Sequence, residues 1–255
     1  MIAIRGVWFS YNGKSDSILR DVSLSIPPGT VTVFVGPNGS GKTTLLHLLL
    51  GWLKPKEGDI RISGKRIDGL PGRERSRLVG HVAPEEPAVL DLEVREYVSL
   101  GRTPHIGWLG RAGRDDDRAV GDALAVVDLA SKSAKPVRTL STGERQLASI
   151  ARALAQDPDI LLLDEPTSHL DLANTRRILG VMHALREKGK TIVLTTHDPN
   201  TASVLADTIV LLRSGRVIAS GTPAEVITED LLGTVYGVEI DVRMIDGRPH
   251  VLARI

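Results

Sequence analysis

An α/β fold with a mostly parallel sheet is the reading that three observations support. Five short runs are apolar almost throughout: "TVTVFVG" (30–36), "DILLLDE" (159–165), "TIVLTTH" (191–197), "TIVLLRSG" (208–215) and "RVIASG" (216–221). Runs of this kind suit strands buried on both faces. Helical patterns lie between them, at about 42–53, 142–156, 172–188 and 199–206. Strands alternating with helices call for crossover units and a parallel sheet. The third observation is a glycine-rich segment, "VGPNGSGKTT" (35–44), placed where the first of these strands passes into the first helix.

Taken in order, the elements fall into three kinds. The first 30 residues read as antiparallel strands ("IAIRGVWFSY", "LRDVSLSI") that end at Pro27-Pro28-Gly29. Residues 87–157 read as mostly helical, with the loop-like stretch "GRTPHIGWLGRAGRDDD" inside, and so form an inserted helical subdomain. The tail, 222–255, opens as a helix in "TPAEVITEDLL" and closes as short strands, "VEIDVRMIDG" and "HVLARI". No internal repeat or low-complexity segment is visible.

Composition narrows the class. A chain of 255 residues is ample for a buried core. The 32 basic and 31 acidic residues leave a net charge of +1, which argues against binding nucleic acid. With no cysteine there is no thiol catalysis, disulfide or cysteine-based zinc site. The N-terminus shows no signal-peptide pattern, and the longest apolar runs fall far short of a membrane span. The expectation is a protein soluble by itself.

The segment 35–44 matches the pattern of a phosphate-binding loop, in the strand-to-helix context that pattern needs. Gly36, Gly39 and Gly41 let the backbone turn its N–H groups inward around phosphate, with Pro37, Asn38 and Ser40 completing the loop. Lys42 would reach the β- and γ-phosphates, and Thr43, beside Thr44, would ligate Mg²⁺. "ILLLDEP" (160–166) is an apolar strand ending in two carboxylates, at the kind of strand end where α/β sheets bind ligands. Asp164 would hold Mg²⁺ through water, and Glu165 would polarise the attacking water as general base. His197 ends the next strand, in "LTTHD", and is placed to reach the γ-phosphate. Tyr11, one of eight aromatics, is either a sheet-surface residue or a flat partner for a nucleotide base.

The order of these motifs resembles the ATPase subunit of ATP-binding cassette (ABC) transporters over nearly the whole chain. "GPNGSGKTT" resembles the Walker A motif, "ILLLDEP" Walker B, "LSTGERQ" the signature motif, "SHLD" (168–171) the D-loop and "TTHD" the switch histidine. Tyr11 stands where the family has its adenine-stacking aromatic. The resemblance implies a P-loop NTPase core with a mostly parallel sheet, an N-terminal antiparallel β-subdomain and an inserted helical subdomain. Residues 1–86 and 158–221 would form the core, 87–157 the helical part and 222–255 an extension of one ATPase domain. It also implies two ATPase subunits head to tail, with Ser141, Thr142, Gly143, Glu144 and Asp171 serving the partner's ATP. A helix N-terminus favours that negative charge.

Two positions depart from the family pattern. Thr142 replaces the first signature glycine. In "VGHVAPEEP" the place of the Q-loop glutamine falls on Glu85, or one residue later on Glu86. A carboxylate there still offers oxygen to Mg²⁺ but adds charge and removes a donor. "LGRTPHIGWLGRAGRDDDRAV" (100–120) and "TPAEVITEDLLGTVYGVEI" resemble importers of iron-siderophore, haem and cobalamin. His105 and Trp108 are read as structural loop residues or contacts near the permease, not haem or metal ligands. The resemblance thus implies an ATP hydrolase, using ATP and Mg²⁺, that powers import of a metal chelate or corrinoid. Its partners would be a second ATPase subunit, a polytopic permease and, indirectly, an extracytoplasmic binding protein, with the chain peripheral at the cytoplasmic face of the membrane. The alternatives are another cargo, such as zinc, manganese or molybdate, or a low-turnover nucleotide-gated regulator.

Overall fold

The computed structural model describes residues 1–11, 17–84, 91–106 and 110–253. In chain order the elements are β1 (Ile2–Phe9), β2 (Leu19–Ile26), β3 (Val31–Val35), α1 (Lys42–Leu49), β4 (Glu57–Ile62), β5 (Lys65–Arg66), α2 (Gly72–Leu78), β6 (Val79–Val82), α3 (Val94–Ser99), α4 (Arg114–Val126), α5 (Thr142–Ala155), β7 (Ile160–Leu163), α6 (Leu172–Glu187), β8 (Thr191–Thr196), α7 (Pro199–Leu205), β9 (Thr208–Arg213), β10 (Arg216–Gly221), α8 (Pro223–Val226), α9 (Glu229–Tyr236), β11 (Ile240–Ile245) and β12 (Arg248–Ala253). They divide between two compact units, one made of Met1–Leu70 with Thr191–Ile255 and the other of Pro71–Lys190.

The first unit holds an antiparallel sheet in the order β2-β1-β4-β5. Its inner face follows from alternation. Ile2 and Ile4 of β1 are buried and lie opposite Ile26 and Leu24 on one side, and Ile62 and Ile60 on the other. Such cross-strand pairs are the unit of sheet stability. Only β1 and β2 are foreseen from sequence, because β4 ("EGDIRI") has too few apolar residues to announce itself. The same unit holds the strands β10-β9-β3-β8 in that order. Strand β3 runs parallel to both β8 and β9, and all five of its residues are buried. Hairpin β9–β10 is antiparallel. Parallel register sets Val35 opposite Thr196, so the chain leaves β3 and β8 at one edge and at matched positions.

The second unit contains the parallel pair β6–β7, with Val82 opposite Leu163. Helices α3 and α4 pack on α5, whose buried face includes Leu147, Ile150 and Ala151.

Three expectations need correction. Strand β10, read among the runs suited to burial on both faces, lies at the sheet edge and alternates exposed and half-buried residues. The helix expected over 42–53 stops at Leu49, because Gly51 takes a left-handed φ of +65° and turns the chain out of the helix. The tail helix is two short helices rather than one. Thr228 is extended and caps α9, its hydroxyl accepting from the Leu231 N–H at 3.3 Å.

Candidate functional site

Within the first unit, the phosphate loop follows β3. Gly41 has φ +103°, which a side chain would resist, and this conformation starts α1 at Lys42. Lys42 is buried, and its Nζ donates to the carbonyls of Gly36 (2.8 Å) and Pro37 (3.2 Å). The ammonium is therefore folded over the loop it belongs to. Ser40 Oγ is buried without a hydrogen-bond partner among the described residues. An unsatisfied buried hydroxyl is costly, and an anion seated in the loop would satisfy it. Thr43 is exposed at the start of α1, and Thr44 is buried.

Tyr11 Oη lies 3.3 Å from Thr44 Oγ1, and its ring meets Phe9 edge to face at 4.9 Å. The hydrogen bond fixes a half-exposed aromatic beside the first turn of α1. His197 lies one residue past β8, exposed, at the same edge that releases the phosphate loop.

Within the second unit, Asp164 follows β7 directly. It is 3% exposed, and its N–H donates to Val82 O at 2.9 Å. Glu165 is partly exposed with φ +44°, and its Oε2 accepts from Ser168 Oγ at 2.7 Å. A left-handed backbone at a non-glycine residue is uncommon, and it turns successive side chains in different directions. Ser168, three residues on, is a partner that sequence reading missed. The signal was the short polar spacing that lets Ser close a local turn.

Ser141 caps α5: its Oγ accepts from Glu144 N–H at 3.3 Å, while Glu144 Oε2 accepts from Ser141 N–H at 3.1 Å. Lys132 donates to the other carboxylate oxygen. That ammonium, and then the Ser141 N–H, hold the Glu144 carboxyl below the usual range. Thr142 Oγ1 accepts from Arg145 at 3.2 Å. Gly143 is buried, and a Cβ there would fall 2.3 Å from Asn174 Cγ. Asp171 caps α6, Oδ1 accepting from Asn174 N–H at 2.7 Å. Asn174 thus joins the signature and the D-loop, and no sequence spacing suggested it. Gln146, on α5, donates to Ala83 O at 3.4 Å, just after β6.

The Gly-Arg-x-Pro-His run makes internal contacts. Arg102 donates to Ala155 O at 2.7 Å and to Asp116 at 2.8 Å, and His105 Nε2 lies 2.9 Å from Gln156 O. These groups serve carbonyls at the C-terminal end of α5, where positive charge and donors are favoured. Glu85, Glu86 and Trp108 lie outside the described residues.

An exposed threonine hydroxyl and a buried aspartate are hard oxygen donors of the kind Mg²⁺ takes. Among the described residues no group of three or more His, Cys, Asp or Glu could hold a metal. None of the described helices is long and apolar enough to cross a membrane.

The pattern of the ABC transporter family matches residues 19–168. The chain is 35% identical over 243 residues to the petrobactin import ATP-binding protein of Bacillus anthracis, covering 95% of this chain and 89% of that protein. It is 35% identical over 236 residues to the ferric enterobactin transport ATP-binding protein of Escherichia coli, covering 92% and 87%. A bacterial ABC transporter cassette solved as a dimer superposes with a TM-score of 0.75 at 29% identity, over 87% of this chain and 98% of the other. Motif order, fold and likeness agree: the chain belongs to the ABC transporter family, as one of its ATP-binding, ATP-hydrolysing cassettes.

Proposed function

We propose that this chain is the ATPase of an importer for a ferric siderophore or a similar metal chelate, working as a pair of cassettes beneath a membrane permease. The observation that carries the nucleotide part is the phosphate loop, with Lys42 folded onto Gly36 and Pro37 and a buried Ser40 hydroxyl awaiting an acceptor or donor. The cargo class rests on the relatives named for petrobactin and enterobactin. An extracytoplasmic binding protein would deliver the chelate.

The loop N–H groups and Lys42 would bind the β- and γ-phosphates, and Tyr11 would stack on adenine. Thr43 and Asp164 would hold Mg²⁺, which supplies charge neutralisation at the phosphates. Glu85 would join them in the Q-loop. Glu165 would take a proton from the attacking water, and Ser168 would steer its carboxylate. His197 would donate to the γ-phosphate. Ser141 Oγ already accepts from Glu144 N–H, so its own proton is free to be donated to a partner's γ-phosphate. With Thr142 and Gly143 N–H groups and Asp171, it would close the second half of each site.

The test has two arms. Glu165→Gln should lower turnover at least a hundredfold while ATP affinity stays within a few-fold of wild type, measured by phosphate release and nucleotide binding. In the native host, deleting the gene should abolish uptake of radio-iron presented as ferric siderophore. Wild type should restore uptake and Lys42→Ala should not. Unchanged siderophore uptake in the deletion strain would overturn the cargo class and leave the ATPase assignment standing.

A further inference from the structure

The C-terminal extension touches the segment that follows β8 at several places. Tyr236, the last residue of α9, donates its hydroxyl to the His197 carbonyl at 2.9 Å. Next along the chain, Asp198 caps α7, its carboxylate accepting from Asn200 N–H (2.9 Å), Thr201 N–H (3.1 Å) and Thr201 Oγ (2.6 Å). Strand β12 then takes hold of α7. Asn200 donates its amide to Val251 O at 3.1 Å and accepts from Val251 N–H at 2.8 Å. Ser203 Oγ donates to Pro249 O at 2.6 Å, and Arg248 donates to Val204 O. The Asn200 amide imitates a strand partner for Val251, satisfying both of its backbone groups.

We propose that Tyr236 is a positioning residue for His197, and that α9 and β12 together brace the switch segment against the core of the first unit. The case is geometric. The backbone of a histidine one residue beyond a strand sets the direction of its Cα–Cβ bond, from which the rotamer then carries the ring. The carbonyl of that residue is held from outside by a tyrosine about forty residues later in the chain, and the helix after it is held by a strand about fifty residues later. Packing of the core needs neither hydroxyl nor amide at those places. The half-buried ring of Tyr236 would pack equally well as phenylalanine. The added hydroxyl fixes the peptide rather than filling space. Catalytic groups depend on such support, since small misplacements cost rate steeply.

This inference rests on the proposed role of His197. The full-length chain is compared as wild type, Tyr236→Phe and His197→Ala, by steady-state ATPase, equilibrium ATP binding and thermal unfolding. Tyr236→Phe should lower kcat about fivefold, the worth of one neutral hydrogen bond, with ATP affinity almost unmoved and the unfolding midpoint lowered by no more than about 4 °C. His197→Ala should lower kcat at least a hundredfold. If His197→Ala is nearly inactive and Tyr236→Phe turns over at the wild-type rate, the brace is wrong and the role of His197 survives. If Tyr236→Phe loses ATP affinity and thermal stability in step with kcat, Tyr236 is merely structural and the inference fails. If His197→Ala turns over normally, the role of His197 falls and the brace falls with it.

Discussion

Two single residues show how close the site is to its steric and electrostatic limits. Gly143 is the clearer. A Cβ there would sit 2.3 Å from Asn174 Cγ, 2.4 Å from its Oδ1 and 2.7 Å from its Nδ2. Either the Asn174 side chain would have to leave its rotamer or one of the two helices would have to move. Gly143→Ala should cost about 1–3 kcal/mol of stability, the usual penalty of overpacking. Adding Asn174→Ala should return most of it, and chemical denaturation of the single and double variants would measure the coupling. The signature glycine was legible from the motif, but the reason for it was not: Asn174 lies 31 residues on and carries no motif of its own. The second residue is Tyr236. Burial first, and then the negative charge of Asp198, push its hydroxyl up to about 12 from an ordinary 10.0. The folded state therefore holds this proton more tightly than the unfolded chain does. Its contribution to stability is complete below pH 10 and is lost as pH rises towards 12. Tyr236→Phe should flatten that part of the alkaline limb in a pH series of denaturant melts, with no pH-dependent change relative to wild type between pH 6 and about 9.

At the scale of the element, α5 is the instructive helix, because it is secured at both ends by residues from elsewhere. At its start, Ser141 and Glu144 form a reciprocal capping box and Lys132 pairs with Glu144. At its end, Arg102 and His105 reach Ala155 and Gln156. The box has a local signal that the sequence reading did not use, Ser-x-x-Glu before an apolar run. The far end has none. "GRTPH" reads as loop, and its partners lie about fifty residues away, so only the folded chain brings them together. Gly101 shows how tight the join is, because a Cβ there would come 2.0 Å from Arg152 O. Arg102 is buried and paired with Asp116. Arg102→Ala would leave the helix carbonyl short of its donor, while Asp116 keeps the Gly113 N–H, at a cost of about 1–3 kcal/mol. Arg102→Lys should recover only part, because one ammonium cannot span both acceptors as the guanidinium does. Glu144 gives the pH-dependent side of the same helix. Its carboxyl is held below the ordinary value by Lys132 and the Ser141 N–H, so its stabilisation is present above the ordinary glutamate range and lost as pH falls through it. Lys132→Ala should weaken the chain at neutral pH and make the acid limb shallower, a difference that unfolding at pH 7 and pH 3.5 would reveal.

For the whole molecule, the central question is why one chain carries two features suited to phosphate. The phosphate loop is equipped to hold a nucleotide within its own unit: its lysine is folded over it and Ser40 is unsatisfied. The start of α5 is proposed to receive one from a partner. Helix geometry leaves the first N–H groups without partners inside the helix, so Thr142 and Gly143 present donors, and Ser141 keeps a proton to give. Among the described residues, Lys132 is engaged with Glu144, and Arg145 with Leu140 O and Thr142 Oγ1. A site of helix N–H donors and a helix dipole, whose neighbouring cations are already engaged by protein groups, suits a nucleotide already bound elsewhere. The cassette that superposes at a TM-score of 0.75 was solved as a dimer, the pairing proposed for this chain. Ser141→Arg separates the alternatives. A guanidinium is far larger than a hydroxyl, so it would fill the space a partner's γ-phosphate needs and remove the N-cap. At low protein concentration, where single chains prevail, ATP affinity should stay within about twofold of wild type, because the phosphate loop is untouched. ATP-driven dimerisation of the Glu165→Gln background, followed by light scattering, should disappear, and turnover in the otherwise wild-type chain should fall at least a hundredfold. Loss of cap stability, about 1 kcal/mol, would lower the melting point slightly but would not abolish monomer binding. If Ser141→Arg weakens ATP binding by the single chain as severely as Lys42→Ala does, α5 serves the chain's own nucleotide and the shared-site dimer is wrong.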